Sequence, residues 1–290
     1  MSLPRFEYLA VSTVAEACSI LSQYGKAAKV IAGGTDLLIK MKERELAPQY
    51  LVGLKGIKDL DYIKYYEGDG LKIGALTSND SVAGSVVIRK RFGLLSEAAA
   101  KIGTPQIRNM GTIGGNLGNA APSADMAPPL IALRAKVKLV SSKGERTVPL
   151  EEFFTGPGET VLKTNELLTE IQVPKPVPSA RGVYLKLFPR GAVDIAAVGV
   201  AVLLMLGKDG ACNDAKIALG AVAPTPVRAK RAEAVIKGKH VKSELIQESA
   251  ETAAEEARPI SDVRCSADYR REMVKVLTRR ALVQCLRQAN

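Results

Sequence analysis

The chain has 290 residues, enough for two domains that each bury a core of their own. Its net charge of +11 would suit an anionic partner, but the lysines and arginines are dispersed and accompany no DNA-binding motif, so we expect no nucleic-acid partner. The four cysteines form no CxxC pair and the only histidine, His240, lies outside every motif, which argues against a local zinc or iron–sulfur site and against histidine-based catalysis.

The first 55 residues alternate between helical and strand patterns. A strand that leads through Gly33 and Gly34 into a helix, with Thr35 or Asp36 as its N-cap, aims free N–H groups and the positive end of the helix dipole at one point. This arrangement suits a phosphate group, although an ordinary strand-to-helix connection accounts for this turn alone equally well. The predicted elements of this region are a helix (13–25), a buried strand (28–33), a second helix (35–46) and a further strand (50–55).

The middle of the chain contains a second glycine-rich turn. There Gly114 and Gly115 are flanked by the hydroxyl of Thr112, the amide of Asn116 and, further on, the carboxylate of Asp125. A simple connection has little need for all of these groups, so the two turns together predict a cradle for the pyrophosphate of a dinucleotide. The elements predicted around this turn are two hairpins (62–67 with 71–76, and 136–142 with 146–150), two helices (80–91 and 94–102) and a strand (166–174).

Three prolines within residues 174–179 interrupt any strand and mark the best domain boundary, near residue 176. A small α+β domain is predicted beyond it, and its middle strand is too continuously apolar to face water on either side. No apolar run approaches the ~20 residues that span a bilayer, and the N-terminus lacks a secretory signal pattern, so we expect no membrane span and a cytoplasmic location. The elements predicted here are three strands (184–190, 195–206 and 214–222) and two helices (241–257 and 267–289).

Two sequences, VIAGGTDLL (residues 30–38) and TIGGNLGNAAPSADMAPPL (residues 112–130), resemble one known family. It is the FAD-binding medium subunit of molybdenum hydroxylases of the xanthine dehydrogenase and carbon monoxide dehydrogenase type. Three weaker segments continue the resemblance in the same order: ELLTEIQVP (166–174), YLKLFPR (184–190) and DIAAVGVAV (194–202).

The resemblance implies an α+β fold with two domains. The first would be a two-lobed FAD-binding domain of the vanillyl-alcohol oxidase (PCMH) type over residues 1–176, with lobes at about 1–55 and 56–176. A C-terminal domain of the carbon monoxide dehydrogenase flavoprotein type would follow over residues 177–290, with a three-stranded antiparallel sheet and helices.

The resemblance also implies that the two turns clamp the diphosphate of FAD, with backbone N–H groups near residues 32–36 on one side and 112–116 on the other. Thr35 could add a hydroxyl donor, whereas an ionised Asp36 can only cap the helix or accept from a cofactor hydroxyl. Asp125 matches a carboxylate beside the ribityl chain, with the N-cap of the next helix as an equal alternative. The implied cofactor-binding residues are Ala32, Gly33, Gly34, Thr35, Asp36, Leu37, Ile102, Gly103, Thr112, Gly114, Gly115, Asn116, Asp125, Leu168 and Lys186.

Four of these residues, Ile102, Gly103, Leu168 and Lys186, match the family more weakly. Lys186 is either a cation near the pyrimidine edge of the flavin or a solvated strand lysine. Because neither a histidine nor a cysteine falls in the flavin motifs, FAD is expected to bind noncovalently. No catalytic side chain and no metal ligand are expected in this chain.

By resemblance the chain is an oxidoreductase subunit of a heteromeric complex. It would pass electrons from the [2Fe–2S] clusters of a small partner subunit through FAD to an external acceptor, which could be NAD, a quinone, oxygen or ferredoxin. A large partner subunit would carry the molybdopterin cofactor and act on the substrate. The alternative is a standalone FAD-dependent oxidoreductase of the vanillyl-alcohol oxidase superfamily, against which the shortage of acid–base residues in the flavin motifs counts.

Overall fold

The structure of the protein is a computed structural model that describes residues 2–189, 191 and 193–288. Strands and helices are mixed along the whole of this part of the chain. The strands are β1 (Glu7–Ala10), β2 (Ala28–Ile31), β3 (Tyr50–Gly53), β4 (Ile63–Tyr66), β5 (Gly70–Gly74), β6 (Lys136–Ser141), β7 (Gly144–Pro149), β8 (Phe154–Gly156), β9 (Glu159–Thr160), β10 (Leu167–Val173), β11 (Ala180–Leu187), β12 (Val198–Leu206), β13 (Cys212–Gly220) and β14 (Val227–Arg228). The α-helices are α1 (Val14–Tyr24), α2 (Leu37–Lys42), α3 (Asn79–Gly84), α4 (Val86–Arg91), α5 (Gly93–Ala100), α6 (Pro105–Met110), α7 (Ile113–Gly118), α8 (Ala127–Ala132), α9 (Lys230–Ile236), α10 (Ser243–Glu256) and α11 (Ala267–Arg287).

A three-stranded parallel sheet in the order β1-β3-β2 opens the fold. Helix α1 starts with a capping box between Thr13 and Glu16 and buries Leu21 against this sheet. The prediction of a buried strand at β2 is wrong in part, since Lys29 and Val30 are exposed. The reason is that β2 is an edge strand, so only part of its surface is covered.

Five antiparallel strands form the second sheet, in the order β4-β5-β10-β6-β7. Both predicted hairpins are confirmed, as β4–β5 and β6–β7. Apolar side chains of this sheet share one core with α3, α4, α5, α7 and α8, which includes Ile73, Phe92, Leu117, Leu130 and Ile171. The connections between these helices carry the second glycine-rich turn.

The last sheet has the order β11-β12-β13-β14 and is antiparallel throughout. Its three long strands are the three predicted ones, and the structure adds the two-residue β14, in which Val227 pairs with Leu219 and Arg228 with Ala218. Two residues are too few to show an alternation of apolar and polar side chains, which is why the sequence pattern does not reveal this strand.

Strand β12 is predicted to be buried on both faces, and the first seven of its nine residues are buried. Val200 and Val202 pack into a core with α10 and α11. Ala201 and Leu203 lie on the opposite face of the strand and belong to the core of the second sheet. A single strand therefore contributes to two cores.

Two predicted helices are shorter in the structure. The helix predicted over 35–46 is α2, which ends at Lys42 because the chain turns at Arg44, where φ is 63°. The helix predicted over 80–91 is divided at Ser85, whose extended backbone ends α3 and whose hydroxyl caps α4.

The last predicted helix agrees with α11 as far as Arg287, and its predicted end at residue 289 lies outside the described residues. Among the described helices, none is long and apolar enough to cross a membrane.

Candidate functional site

Backbone amides without partners line the first glycine-rich loop, between β2 and α2. Within the described residues, none of the six consecutive N–H groups of residues 32–37 has a hydrogen-bond acceptor, whereas Leu38 donates to the carbonyl of Gly34 at 3.1 Å. Gly34 has a φ of 73°, a left-handed conformation that side chains with a Cβ rarely adopt. Because α2 has only six residues, this row of amides, rather than a long helix dipole, would attract an anion.

The second loop offers no comparable row, and here the structure corrects the sequence analysis. The amides of residues 113–116 donate in turn to the carbonyl of Thr77, the carbonyl of Ala75, the hydroxyl of Thr112 and the carbonyl of Thr112, at 2.9, 2.9, 3.0 and 2.9 Å. The last two of these bonds form the start of α7, which Thr112 caps, and the first two tie that start to the segment after β5. The second loop can therefore contribute shape and side chains to a binding site, but not these four N–H groups.

The two loops touch each other. A Cβ added to Gly33 would lie 1.8 Å from the carbonyl oxygen of Met110, so this glycine admits the protein's own backbone rather than a ligand. Asp36 does not cap α2, because it makes no side-chain bond to the helix amides. Its carboxylate instead accepts from the side-chain amide of Asn119 at 3.0 Å and from the hydroxyl of Thr35 at 3.2 Å.

Asn79 connects α3 to the second loop and was missed by the sequence analysis. Its backbone N–H and its side-chain Nδ2 both donate to the carbonyl of Gly111, at 2.9 and 3.0 Å. The residue is 2% exposed, and its Oδ1 is buried with no hydrogen-bond partner among the described residues. A Cβ on Gly111 would lie 3.6 Å from the hydroxyl of Thr35, so this free acceptor belongs to the region where the loops meet.

Asp125 forms a buried ion pair. The tyrosine hydroxyl of Tyr184 donates to its Oδ1 at 2.8 Å, and the ammonium of Lys186 donates to its Oδ2 at 2.8 Å. The alternative role of Asp125 as a helix N-cap is wrong, because Met126 occupies the cap position of α8 and no side chain caps that helix. Burial raises the pKa of the Asp125 carboxyl, while Lys186 and Tyr184 oppose that rise.

Lys186 is not a solvated strand lysine, since its side chain is 1% exposed. Besides Asp125, its ammonium bonds the carbonyl of Lys101 at 2.9 Å. In return the ammonium of Lys101 bonds the carbonyl of Tyr184 at 2.7 Å. Burial lowers the pKa of Lys101 and raises that of Tyr184. Lys101 and Tyr184 were missed by the sequence analysis: Lys101 stands outside the quoted segments, and Tyr184 opens the weaker segment YLKLFPR, in which only Lys186 was singled out.

The remaining candidate residues lie around this network. Ile102 directly follows Lys101, and the guanidinium of Arg108 bonds the carbonyls of Ile102 and Gly103 at 3.2 and 3.3 Å. Gly103 has a φ of 42°, a left-handed conformation, so the chain turns at the residue whose carbonyl Arg108 holds. Leu168 lies in β10 and shares the apolar core with Ile102.

One further contact joins the second loop to the buried ion pair. The Oδ1 of Asn116 accepts from the amide of Met126 at 3.4 Å, next to Asp125. Two shallow surface hollows, one beside Lys26 and the other beside Tyr62, lie elsewhere and include none of the candidate residues. The described residues contain no group of three or more histidine, cysteine, aspartate or glutamate side chains that could hold a metal ion.

Comparison with known proteins gives two family matches that follow one another along the chain. The model described as the FAD binding domain in molybdopterin dehydrogenase matches residues 4–176, and that of the CO dehydrogenase flavoprotein C-terminal domain matches residues 183–285. The carbon monoxide dehydrogenase medium chain of Hydrogenophaga pseudoflava is 38% identical over 279 residues, covering 96% of each chain. The glyceraldehyde dehydrogenase medium chain of Sulfolobus acidocaldarius is 36% identical over 278 residues, covering 96% of this chain and 97% of that one.

Solved structures agree with these matches. One solved structure is a carbon monoxide dehydrogenase from Hydrogenophaga pseudoflava, in a form of the enzyme that lacks the Mo-pyranopterin moiety of the molybdenum cofactor. A chain of that enzyme superposes with a TM-score of 0.95 at 38% identity, covering 98% of each chain. A chain of quinoline 2-oxidoreductase from Pseudomonas putida 86 gives 0.93 at 30% identity, covering 100% of this chain and 99% of that one. Fold and loops thus define an FAD-binding component of an oxidoreductase. The chain belongs to the family of FAD-binding medium subunits of carbon monoxide and xanthine dehydrogenase-type complexes, as the resemblance predicted.

Proposed function

We propose that this chain binds FAD noncovalently and serves as the electron-transfer subunit of a molybdenum hydroxylase complex. In this proposal a small partner subunit with [2Fe–2S] clusters delivers electrons, a large partner subunit with molybdopterin acts on the substrate, and this chain passes the electrons to an external acceptor. The candidate acceptors are NAD, a quinone, oxygen and ferredoxin. Family membership supports the proposal, together with the medium-chain names of the relatives. We also propose a cytoplasmic location.

The observation that carries the proposal is the row of six free amides in the first loop. Unpaired N–H groups that are partly withdrawn from water cost free energy, and a diphosphate with its many acceptor oxygens satisfies several at once. The left-handed Gly34 curves the backbone between these amides, which is the arrangement of an anion-binding nest. The residues present therefore fit the pyrophosphate of FAD.

The other candidate residues are proposed to line the rest of the FAD site. Asp125 would accept hydrogen bonds from ribityl hydroxyls, because an ionised carboxylate is an acceptor only and each of its oxygens has capacity beyond one bond. Ile102, Gly103, Leu168 and Lys186 would lie toward the flavin ring. FAD, when bound, supplies the ability to accept and release electrons singly or in pairs. The chain would supply position, charge and exclusion of water.

We further propose that the chain divides into an FAD-binding domain over residues 1–176, with lobes at about 1–55 and 56–176, and a C-terminal domain over 177–290. Limited proteolysis in the proline-rich segment 174–179 tests this division. Cleavage confined to that segment supports the boundary, whereas cleavage confined to other sites contradicts it.

The function is tested by purifying the protein and recording its visible absorption spectrum. Flavin absorption bands, with FAD released by acid, support the cofactor and its noncovalent attachment. Flavin that stays with the protein after acid would contradict noncovalent binding. Co-purification of iron–sulfur and molybdenum subunits at equal stoichiometry supports the electron-transfer role, whereas a chain that oxidises a substrate by itself would favour the standalone oxidoreductase.

A further inference from the structure

Strand β11 presents two donors to one carboxylate. Tyr184 and Lys186 are two residues apart in this strand, so their side chains point to the same face of the sheet, where both meet Asp125. Tyr184 takes Oδ1 and Lys186 takes Oδ2, each at 2.8 Å. Tyr184 is 1% exposed and Asp125 is 7% exposed. Water therefore has little access to the carboxylate and does not replace the tyrosine hydroxyl as a donor.

Among the residues that the structure describes, few charged groups face Asp125. Lys186 and Tyr184 face it from β11, and Lys101 faces it from the end of α5. Glu97, also in α5, accepts from the backbone amide of Tyr184 at 3.3 Å and partly balances Lys101. An ionised carboxylate this far from water depends on its hydrogen-bond donors, since burial alone favours its protonated form.

On the basis of the function proposed above, we propose that Tyr184 is a positioning residue of the flavin site. Its hydroxyl keeps Asp125 ionised and fixed in one orientation, so that the free lone pairs of the carboxylate accept from the hydroxyls of a cofactor's sugar-alcohol chain. A neutral phenol suits this role because Lys186 already balances the carboxylate charge, and a second ammonium bonded to the same group would leave an excess positive charge. Two hydrogen bonds between Lys101 and β11, from the Lys101 ammonium to the carbonyl of Tyr184 and from the Lys186 ammonium to the carbonyl of Lys101, hold Tyr184 itself in place.

The test uses the full chain with Tyr184→Phe, which removes one oxygen and keeps the ring. FAD affinity is measured by fluorescence titration at a series of pH values, because burial raises the pKa of the Asp125 carboxyl. We expect the variant to bind FAD on the order of tenfold more weakly, because Asp125 is then no longer held in the orientation in which it accepts from the cofactor. We also expect its affinity to fall at a higher pH than that of the wild type, since the loss of a donor raises the pKa of Asp125.

The matched control is Tyr62→Phe, which also removes a tyrosine hydroxyl that donates to a carboxylate, here that of Glu170. Tyr62 lies outside the candidate site, so its variant should keep both the affinity and the pH profile of the wild type. A second variant, Asp125→Asn, has no carboxyl to titrate and should lose the pH dependence altogether. Adding Tyr184→Phe to Asp125→Asn should then cause little further loss of affinity.

Three results would overturn the inference: wild-type affinity at every pH in Tyr184→Phe, a weaker affinity without any displacement of the pH profile, or a wild-type pH profile in Asp125→Asn. The Asp125→Asn measurement stands even if Tyr184→Phe does not fold. A wild-type chain that binds no FAD at all would instead contradict the proposed function, so the two failures are distinguishable.

Discussion

Replacement of Gly34 by alanine tests the row of free amides directly. Gly34 has a φ of 73°, and an L residue in this left-handed conformation costs roughly 1–2 kcal/mol. The added Cβ would lie 3.2 Å from methyl carbons of Ile31 and Leu38, which can shift by a few tenths of an ångström. The backbone strain therefore decides the outcome, and the loop can relieve it only by leaving the conformation that aligns the amides.

If binding of FAD must restore that conformation, the strain reappears as lost affinity. A cost of about 1.4 kcal/mol corresponds to a tenfold weaker affinity, so we expect the dissociation constant of Gly34→Ala to rise by about one order of magnitude. Fluorescence titration with FAD measures it. Thermal unfolding of the protein without FAD is recorded alongside, to show how much strain the fold itself bears.

Gly238→Ala is the matched control. Gly238 has a φ of 76° and nothing within 4 Å of an added Cβ, and it lies between α9 and α10, away from the loops. Its variant should lose a similar amount of stability, about 1 kcal/mol, and bind FAD like the wild type. An unchanged FAD affinity in Gly34→Ala, with the loss of stability seen in both variants, would refute the reasoning.

Three further predictions concern stability. Asn79→Ala should cost about 1 kcal/mol in urea unfolding, because a buried hydrogen bond to the second loop is lost, whereas Asn109→Ala at an exposed site should be almost neutral. The hydrogen bond from Arg146 lowers the pKa of Glu166. The pair therefore stabilises the fold at a pH above the ordinary pKa of glutamate, and this stabilisation is lost as the pH falls through the lowered pKa of Glu166. Acid should accordingly lower the melting temperature less in Glu166→Gln than in the wild type. Val202→Ala should cost about 2 kcal/mol, and a loss below about 0.5 kcal/mol would contradict its place in a tightly packed core.

The sequence predicts the elements whose signals are local. The continuous apolar run of β12, the hairpins and the start of α1 at Thr13 follow from patterns a few residues long. Gly34 belongs to the same group, because a left-handed residue in a tight turn favours glycine. Arg44 does not, since a left-handed arginine gives no local signal that α2 ends early.

The site is less predictable, because its key contacts join residues far apart in the chain. The first two amides of α7 donate hydrogen bonds to the carbonyls of Thr77 and Ala75, which no pattern in the glycine-rich turn reveals. The assignments of Asp125 and Lys186 came from the family resemblance. Their mutual ion pair and its further donor, Tyr184, emerge only when β11 is packed against α5 and the segment before α8. Asn79 looks like an ordinary residue in the first turn of a short helix.

The double burial of β12 has a consequence for how the molecule unfolds. Alternate side chains of this strand fill two apolar interiors, so neither interior can lose the strand without exposing surface that belongs to the other. Detachment of the C-terminal helices would therefore weaken the region that carries the glycine loops. Calorimetry should record one cooperative melting transition for the whole chain, in which flavin release and helix melting coincide.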